Sequence, residues 1–244
     1  MNQVEGRNPV LEALWANAPI NKLFVQNNVG GTIGQIVALA KQRGIVVVEA
    51  EKASLDKLSE GRPHQGVVAQ LAVVPYTEFE DLVAKALAEP CPLLLVLDHI
   101  EDPHNLGAIL RSGLAAGAQG VIIPKRRSAA LSPAVAKASA GAVMHLAVAR
   151  VANLAQHVAR LKEEGFSVVG ADSGGKVIYD VKLTCPLAVI VGSEDEGLSR
   201  LLREACDELV AIPMAGPVGS LNASVAAGVV LFEVVRQQRV RRNP

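Results

Sequence analysis

The chain has 244 residues, half of them hydrophobic but only 3% aromatic, and its 24 Lys+Arg balance 24 Asp+Glu to zero net charge. That is enough chain for one large domain or two small ones; it excludes a disordered protein and requires a core of Ala, Val, Leu and Ile. No uninterrupted apolar run nears the roughly 18 residues of a membrane span, and the N-terminus lacks a charged-then-apolar signal layout, so a soluble, cytoplasmic protein without a membrane partner is expected.

In chain order, Val10, Leu11, Leu14 and Trp15 share one helical face, residues 22–26 read as a strand, and Ile33, Ile36, Val37 and Ala40 restore helical spacing. Residues 45–48 and 66–71 are further strands, which makes residues 1–74 a small α/β unit. The proline-bracketed, acid-rich stretch 75–91 reads as a linker that becomes a short helix before a second domain, residues 92–244. There, strands at 93–98, 120–124, 145–149, 167–171, 187–192 and 209–213 alternate with helices starting near 106, 132, 153, 198 and 221. Nearly continuous apolar strand runs predict a parallel sheet flanked by helices on both faces, and such sheets bind ligands at the carboxyl ends of their strands.

The zero charge, taken alone, argues against a nucleic-acid binder. Its distribution does not. Between Pro75 and Asp102 there are seven acids against Lys85, whereas Pro103 to Lys162 holds eight bases and no acid. The tail adds Arg236, Arg239, Arg241 and Arg242 after the last acid, Glu233. Basic clusters of this kind suit a polyanion or, equally, a solvated helix face. Cys91, Cys185 and Cys206 are odd in number, widely separated and without a C-x-x-C pair, so reduced thiols are expected and neither a disulfide nor a metal site.

Four strand ends carry unusual sequence. Gly170 to Lys176 nearly matches a phosphate-binding loop, but Val177 stands where a metal-ligating hydroxyl belongs and no helix follows, so a surface turn is expected. In DHIEDPHNLGAILR, Asn105 sits where an N-cap belongs and Arg111 falls off the buried stripe, an arrangement that a simple cap and a solvated arginine also explain. In VGSEDEGLSR, Gly192 allows close backbone approach and Glu194, Asp195 and Glu196 crowd a helix start, as ordinary capping would. In IPMAGPVGSLNASVAAG, Ser220 suits an N-cap, while Asn222 and Ser224 bring further polar groups into an apolar helix; buried polar groups need partners.

In this order the last three segments resemble the three motifs of the SpoU/TrmH family of RNA ribose 2′-O-methyltransferases, over about Leu93 to Arg236. EGRNPVLEAL and HQGVVA resemble the ribosomal-protein-like RNA-binding domain that precedes the catalytic domain in several members. The resemblance is nearest to the subgroup that methylates a guanosine ribose in 23S rRNA, with a tRNA enzyme or a nonenzymatic RNA-binding assembly factor as alternatives. It implies an α/β domain with a C-terminal deep trefoil knot, S-adenosylmethionine as methyl donor, no metal, no DNA partner, and a homodimer. Carried over by position, it places Gly192, Ile212, Leu221 and Met214 at the donor. It assigns Arg111 to catalysis with Asn105, Glu194, Ser220 and Asn222 shaping the site, and gives Arg7, Arg111, Lys125 and Arg126 to the RNA. A guanidinium is a poor general base, since its pKa lies above roughly 12. Holding phosphate and stabilising charge on the 2′-oxygen suit Arg111 better. Glu194 suits orientation of its neighbours more than proton abstraction.

Overall fold

The structure, a computed structural model, describes residues 3–27, 31–217 and 219–242. Val218 of the third motif and the side chains of Arg241 and Arg242 lie outside the described residues. The chain divides into two compact units, Met1–Pro75 with Ala130–Pro133, and Tyr76–Ala129 with Ala134–Pro244.

The first unit runs β1 (Gln3–Glu5), α1 (Arg7–Trp15), β2 (Ile20–Gln26), α2 (Thr32–Gln42), β3 (Val46–Ala50), α3 (Lys52–Leu58) and β4 (Val67–Leu71). Its sheet has the order β1-β4-β2-β3, with β2 and β3 parallel and β4 antiparallel to β2. Val10, Leu11 and Leu14 of α1 and Ile33 and Ile36 of α2 are buried with Leu23 and Val67, but Trp15, expected on the same face of α1, is 62% exposed at the helix end. The short β1 and α3 have no clear periodicity, and their sequence does not announce them.

The second unit runs α4 (Phe79–Leu87), β5 (Leu93–Leu97), α5 (Pro103–Ala115), β6 (Gly120–Pro124), α6 (Pro133–Ala138), β7 (Ala147–Val151) and α7 (Leu154–Glu163). It continues with β8 (Ser167–Val177), β9 (Leu187–Val191), α8 (Arg200–Ala205), β10 (Glu208–Ala211) and α9 (Ala223–Arg242). Its six strands lie in the order β10-β8-β9-β5-β6-β7, and each strand pair is parallel. Every residue of β5 and β9 is buried, as central strands covered on both faces require. The parallel, helix-flanked sheet is therefore as the strand pattern predicts.

Three local expectations need correction. The stretch 75–91 is not a free linker, because Phe79, Leu82, Val83 and Ala86 of α4 are buried in the second unit's core. The presumed phosphate-loop mimic is not a turn either, since β8 continues through it to Val177. Gly175 packs there against the backbone of Leu209, where an added Cβ would lie 2.4 Å from the carbonyl carbon. Finally, Cys91 and Cys185 are paired as a disulfide with Cα atoms 5.2 Å apart, leaving Cys206 free. Register explains the pairing: Leu93 opposes Leu187 across β5 and β9, so the residues two positions earlier also face one another.

Candidate active site

The carboxyl ends of β8, β9 and β10 open onto a cavity of about 590 Å³. Gly192, Glu194, Ile212, Met214, Ser220 and Leu221, six of the residues singled out in the sequence, line it together. Gly192 follows β9 where the chain doubles back, Ser193 bridging to Gly197. A Cβ at Gly192 would sit 2.1 Å from the Gly197 carbonyl oxygen, so only glycine permits this approach. The acids 194–196 thus occupy a tight turn closed by Gly197 N–H donating to the Ser193 carbonyl at 3.0 Å, not a helix start. The helix begins later, with Ser199 as the N-cap position of α8.

The N-cap of α5 also differs from expectation. Asp102 caps it, its carboxylate accepting from His104 N–H at 3.1 Å and Asn105 N–H at 3.3 Å, with Pro103 as the first helical residue. Asn105 is thereby freed from capping. Its Nδ2 donates to Glu194 Oε1 at 2.8 Å and its Oδ1 accepts from Asn222 Nδ2 at 2.9 Å. Asn222 Nδ2 also donates to Glu194 Oε1, and the Ala223 N–H reaches the same oxygen at 3.3 Å. Asn222, not Ser220, caps α9: its Oδ1 accepts from Ser224 N–H at 3.0 Å and Val225 N–H at 3.3 Å. Asn222 is exposed, so its polarity answers capping and networking and not burial.

One carboxylate oxygen therefore ties together all three motifs. With three donors on Oε1, Glu194 is built to hold its neighbours in place. A second cavity, of about 540 Å³, shares Ser193, Glu194, Asp195, Glu196 and Ala223 with the first and adds Asn105, His99 and Arg127. Asp98, 2% exposed at the end of β5, accepts from Ser199 N–H at 2.7 Å and lies 2.9 Å from His99 Nδ1, which anchors the floor of this region.

Arg111 is not brought to either cavity; it lies exposed on α5. Lys125 and Arg126 follow β6 on the sheet's carboxyl edge, half-buried and exposed respectively. Arg7 opens α1 in the first unit. Sequence reading passes over Asp172 and Arg203, which form an ion pair of 2.7 Å on the wall of the first cavity. The acid stands in the segment set aside as a surface turn, and only the continuation of β8 carries it to the site. Among the described residues no group of three His, Cys, Asp or Glu side chains is placed to hold a metal ion.

Known proteins resemble this chain in sequence and fold. Residues 92–232 match the SpoU rRNA Methylase family, and residues 3–77 match the RNA 2′-O ribose methyltransferase substrate binding family. A Bacillus subtilis protein named for the TrmH family of tRNA/rRNA methyltransferases is 46% identical over 99% of this chain and 96% of its own. A Mycobacterium tuberculosis protein described as an uncharacterized tRNA/rRNA methyltransferase is 46% identical over 99% of this chain and 76% of its own. Among solved structures, the SpoU methyltransferase AviRb from Streptomyces viridochromogenes in complex with AdoMet is 26% identical, with a TM-score of 0.62 over 98% of this chain and 90% of that one. The A. aeolicus TrmH/SpoU tRNA modifying enzyme is 26% identical, with a TM-score of 0.58 over 67% of this chain and 84% of that one. With three of its strand-end motifs joined at one carboxylate and both domain families matched, the chain belongs to the SpoU rRNA Methylase family.

Proposed function

We propose that this protein transfers a methyl group from S-adenosylmethionine to the ribose 2′-OH of a specific guanosine in 23S rRNA. The observation that carries the reading is the cavity at the ends of β8, β9 and β10, with a glycine cradle at Gly192 and with Glu194 binding the three motifs on its wall. Its size suits a small-molecule donor. The loops at Gly192, Ile212 and Leu221 offer main-chain groups to an adenine edge, Met214 lies beside them, and Ser220 adds a hydroxyl. The donor supplies a methyl group on a positively charged sulfur. The second cavity, sharing Glu194 and Ala223, receives the ribose, and Asn105 and Asn222 hold the wall against which it is oriented.

Arg111, off both cavities, acts in this reading on the site of a partner subunit, where it holds phosphate and stabilises charge on the 2′-oxygen. A homodimer built on α9 would bring it there. The helix exposes Val225 and Phe232, each 51% accessible and seven residues apart on one face. The knotted topology is part of the same proposal. Its support is the match of residues 92–232 to the family whose resemblance implies the knot.

The test is incubation with labelled S-adenosylmethionine and unmodified 23S rRNA or tRNA, followed by mapping of the modified nucleotide. Methylated guanosine in 23S rRNA is expected. Transfer to tRNA alone would move the protein to the tRNA branch, and donor binding without transfer would make it a nonenzymatic RNA-binding assembly factor. Arg111→Ala is expected to lose turnover with donor affinity retained. Mixing it with Asn222→Ala should then restore roughly a quarter of wild-type activity, because half the dimers are mixed and each carries one intact site.

A further inference from the structure

β8 does not run evenly to its end. Leu209 of β10 opposes Gly170, but the next residue, Val210, opposes Lys176, so Ala171 to Gly175 bulge out of that ladder at the strand's carboxyl end. Bulges re-aim side chains beside active sites. This one carries Asp172 onto the wall of the first cavity. We propose that Asp172 binds the ribose diol of S-adenosylmethionine, with Arg203 as the residue that positions its carboxylate. The inference deepens the reading of that cavity as the donor site and rests on it.

The carboxylate is both placed and held. The Asp172 side chain is 5% accessible; its Oδ1 accepts from Gly174 N–H at 2.9 Å, and its Oδ2 lies 2.7 Å from Arg203 Nη2. Arg203 comes from α8, its side chain is 47% accessible, and it lines the same cavity. A nearly enclosed carboxylate needs such a counterion, because an unpaired buried charge is costly. An ionised carboxylate has about four lone-pair sites. Among the described residues each oxygen of Asp172 has one partner, which leaves both able to accept once more.

Of the polar groups on the donor, one matches that remaining capacity. The adenine edge presents acceptors as well as a donor, which main-chain groups at Ile212 and Leu221 can answer and a carboxylate cannot. A carboxylate against the positively charged sulfur would favour the charge that methyl transfer removes, and so would stabilise the ground state. The amino-acid tail would have to displace the members of an ion pair that is already closed. The vicinal diol brings two O–H donors, asks only for acceptors and breaks no existing contact. Hydrogen bonds to a charged acceptor are the strong ones.

The experiment measures calorimetric binding of S-adenosylhomocysteine, the donor without its transferable methyl group, to the full chain, beside the same compound lacking both ribose hydroxyls. Wild type is expected to bind the compound without hydroxyls about tenfold to a hundredfold more weakly, the worth of hydrogen bonds to a charged group. Asp172→Asn, which keeps an oxygen for Gly174 N–H, should bind the intact compound about tenfold or more weakly than wild type does. It should bind the compound without hydroxyls as wild type does. Arg203→Ala should fall toward the affinity of Asp172→Asn, and Arg203→Lys should restore most of that loss. Urea midpoints check that each variant is folded, and Asp172→Ser takes the place of Asp172→Asn if the latter is not.

The proposal is overturned if Asp172→Asn binds the intact compound like wild type. It is also overturned if Asp172→Asn weakens both compounds equally, which would mean that the carboxylate shapes the wall or serves the amino-acid tail. Equal losses in Arg203→Ala and Arg203→Lys would remove the positioning role. Failure of wild type to bind S-adenosylhomocysteine removes the reading of the cavity, and this inference with it. Diol-dependent binding through Asp172 by a protein that methylates no RNA removes the methyltransferase reading and leaves this one. Methylation with Asp172-independent donor binding removes only this one.

Discussion

A methyl group added at position 192 has nowhere to go, because the backbone of Gly197 and Leu198 already fills the space. Gly192→Ala is therefore expected to destabilise the protein by about 1–3 kcal/mol and to open the turn that lines the cavity proposed for the donor. Chemical denaturation reads the first effect; calorimetric titration with S-adenosylmethionine reads the second as a loss of about tenfold or more in affinity. Cys206 shows the opposite use of burial. Desolvation, with Asp207 beside it, pushes its thiol up to about 11, so almost no thiolate exists at pH 8. Alkylation of Cys206 in the native protein should run roughly a hundredfold slower than in the denatured protein. A native rate equal to the denatured one would show that the thiol is not enclosed.

At the scale of elements, α9 and the β8–β10 edge are each held by one side chain with two duties. Asn222 caps α9 and donates to Glu194, so Asn222→Ala should cost about 1 kcal/mol of stability and abolish methyl transfer. Asn222→Asp separates the two duties. It keeps a capping oxygen but sets a carboxylate against Glu194, so it should lose activity, and the stability lost to repulsion at neutral pH should be partly recovered on acidification. Asp207 accepts from Val168 N–H at 2.8 Å and pairs with Lys162 at 2.6 Å, joining the starts of β8 and β10 to α7. Burial raises its pKa, but the Lys162 ammonium and the Val168 N–H outweigh that and hold the carboxyl below the usual carboxylate range. A carboxyl depressed on folding stabilises above its unfolded pKa of about 3.9, and that stability is lost as pH falls through the lower folded value. Urea midpoints should therefore fall less steeply below about pH 4 in Asp207→Asn than in wild type. With the side chain 43% accessible the contribution is at most about 1 kcal/mol.

For the whole molecule, the charge pattern is redistributed by folding. Three of the eight bases in the base-only stretch are answered by acids distant in sequence: Arg160 pairs with Glu80, Arg127 with Glu101 and Glu196, and Lys162 with Asp207. Among the described residues, Arg111, Lys125, Arg126 and Lys137 of that stretch carry no ion pair, so a continuous basic surface becomes a few separate positions. Arg126→Glu should accordingly weaken RNA binding at about 0.15 M salt several-fold more than Arg160→Glu, which loses an exposed pair worth little. Equal effects in a filter-binding assay would mean that the pairing seen here does not govern the surface. The disulfide is tested by a thiol titration of unreduced, denatured protein, where one reactive thiol of the three cysteines is expected.

Much of this molecule is legible in its sequence. Uninterrupted apolar strands such as Leu93–Leu97 and Leu187–Val191 dictate a sheet covered on both faces, because unpaired polar faces have no place in them. The ends of three of those strands carry motifs whose polar residues and glycines specify a family. What sequence alone leaves undecided is pairing across distance. The partner of Asn105 is 89 residues away, that of Cys91 is 94 away, and Asp172 reaches the cavity at the ends of β8, β9 and β10 only because β8 runs on past the point where its apolar pattern stops. Local spacing and propensity determined the elements, since those act between neighbours along the chain. The tertiary structure decided which carboxylate unites the motifs, which residue caps each helix, which charges remain free for RNA and why a neutral sum is compatible with that role, because these depend on register between strands that only folding brings together.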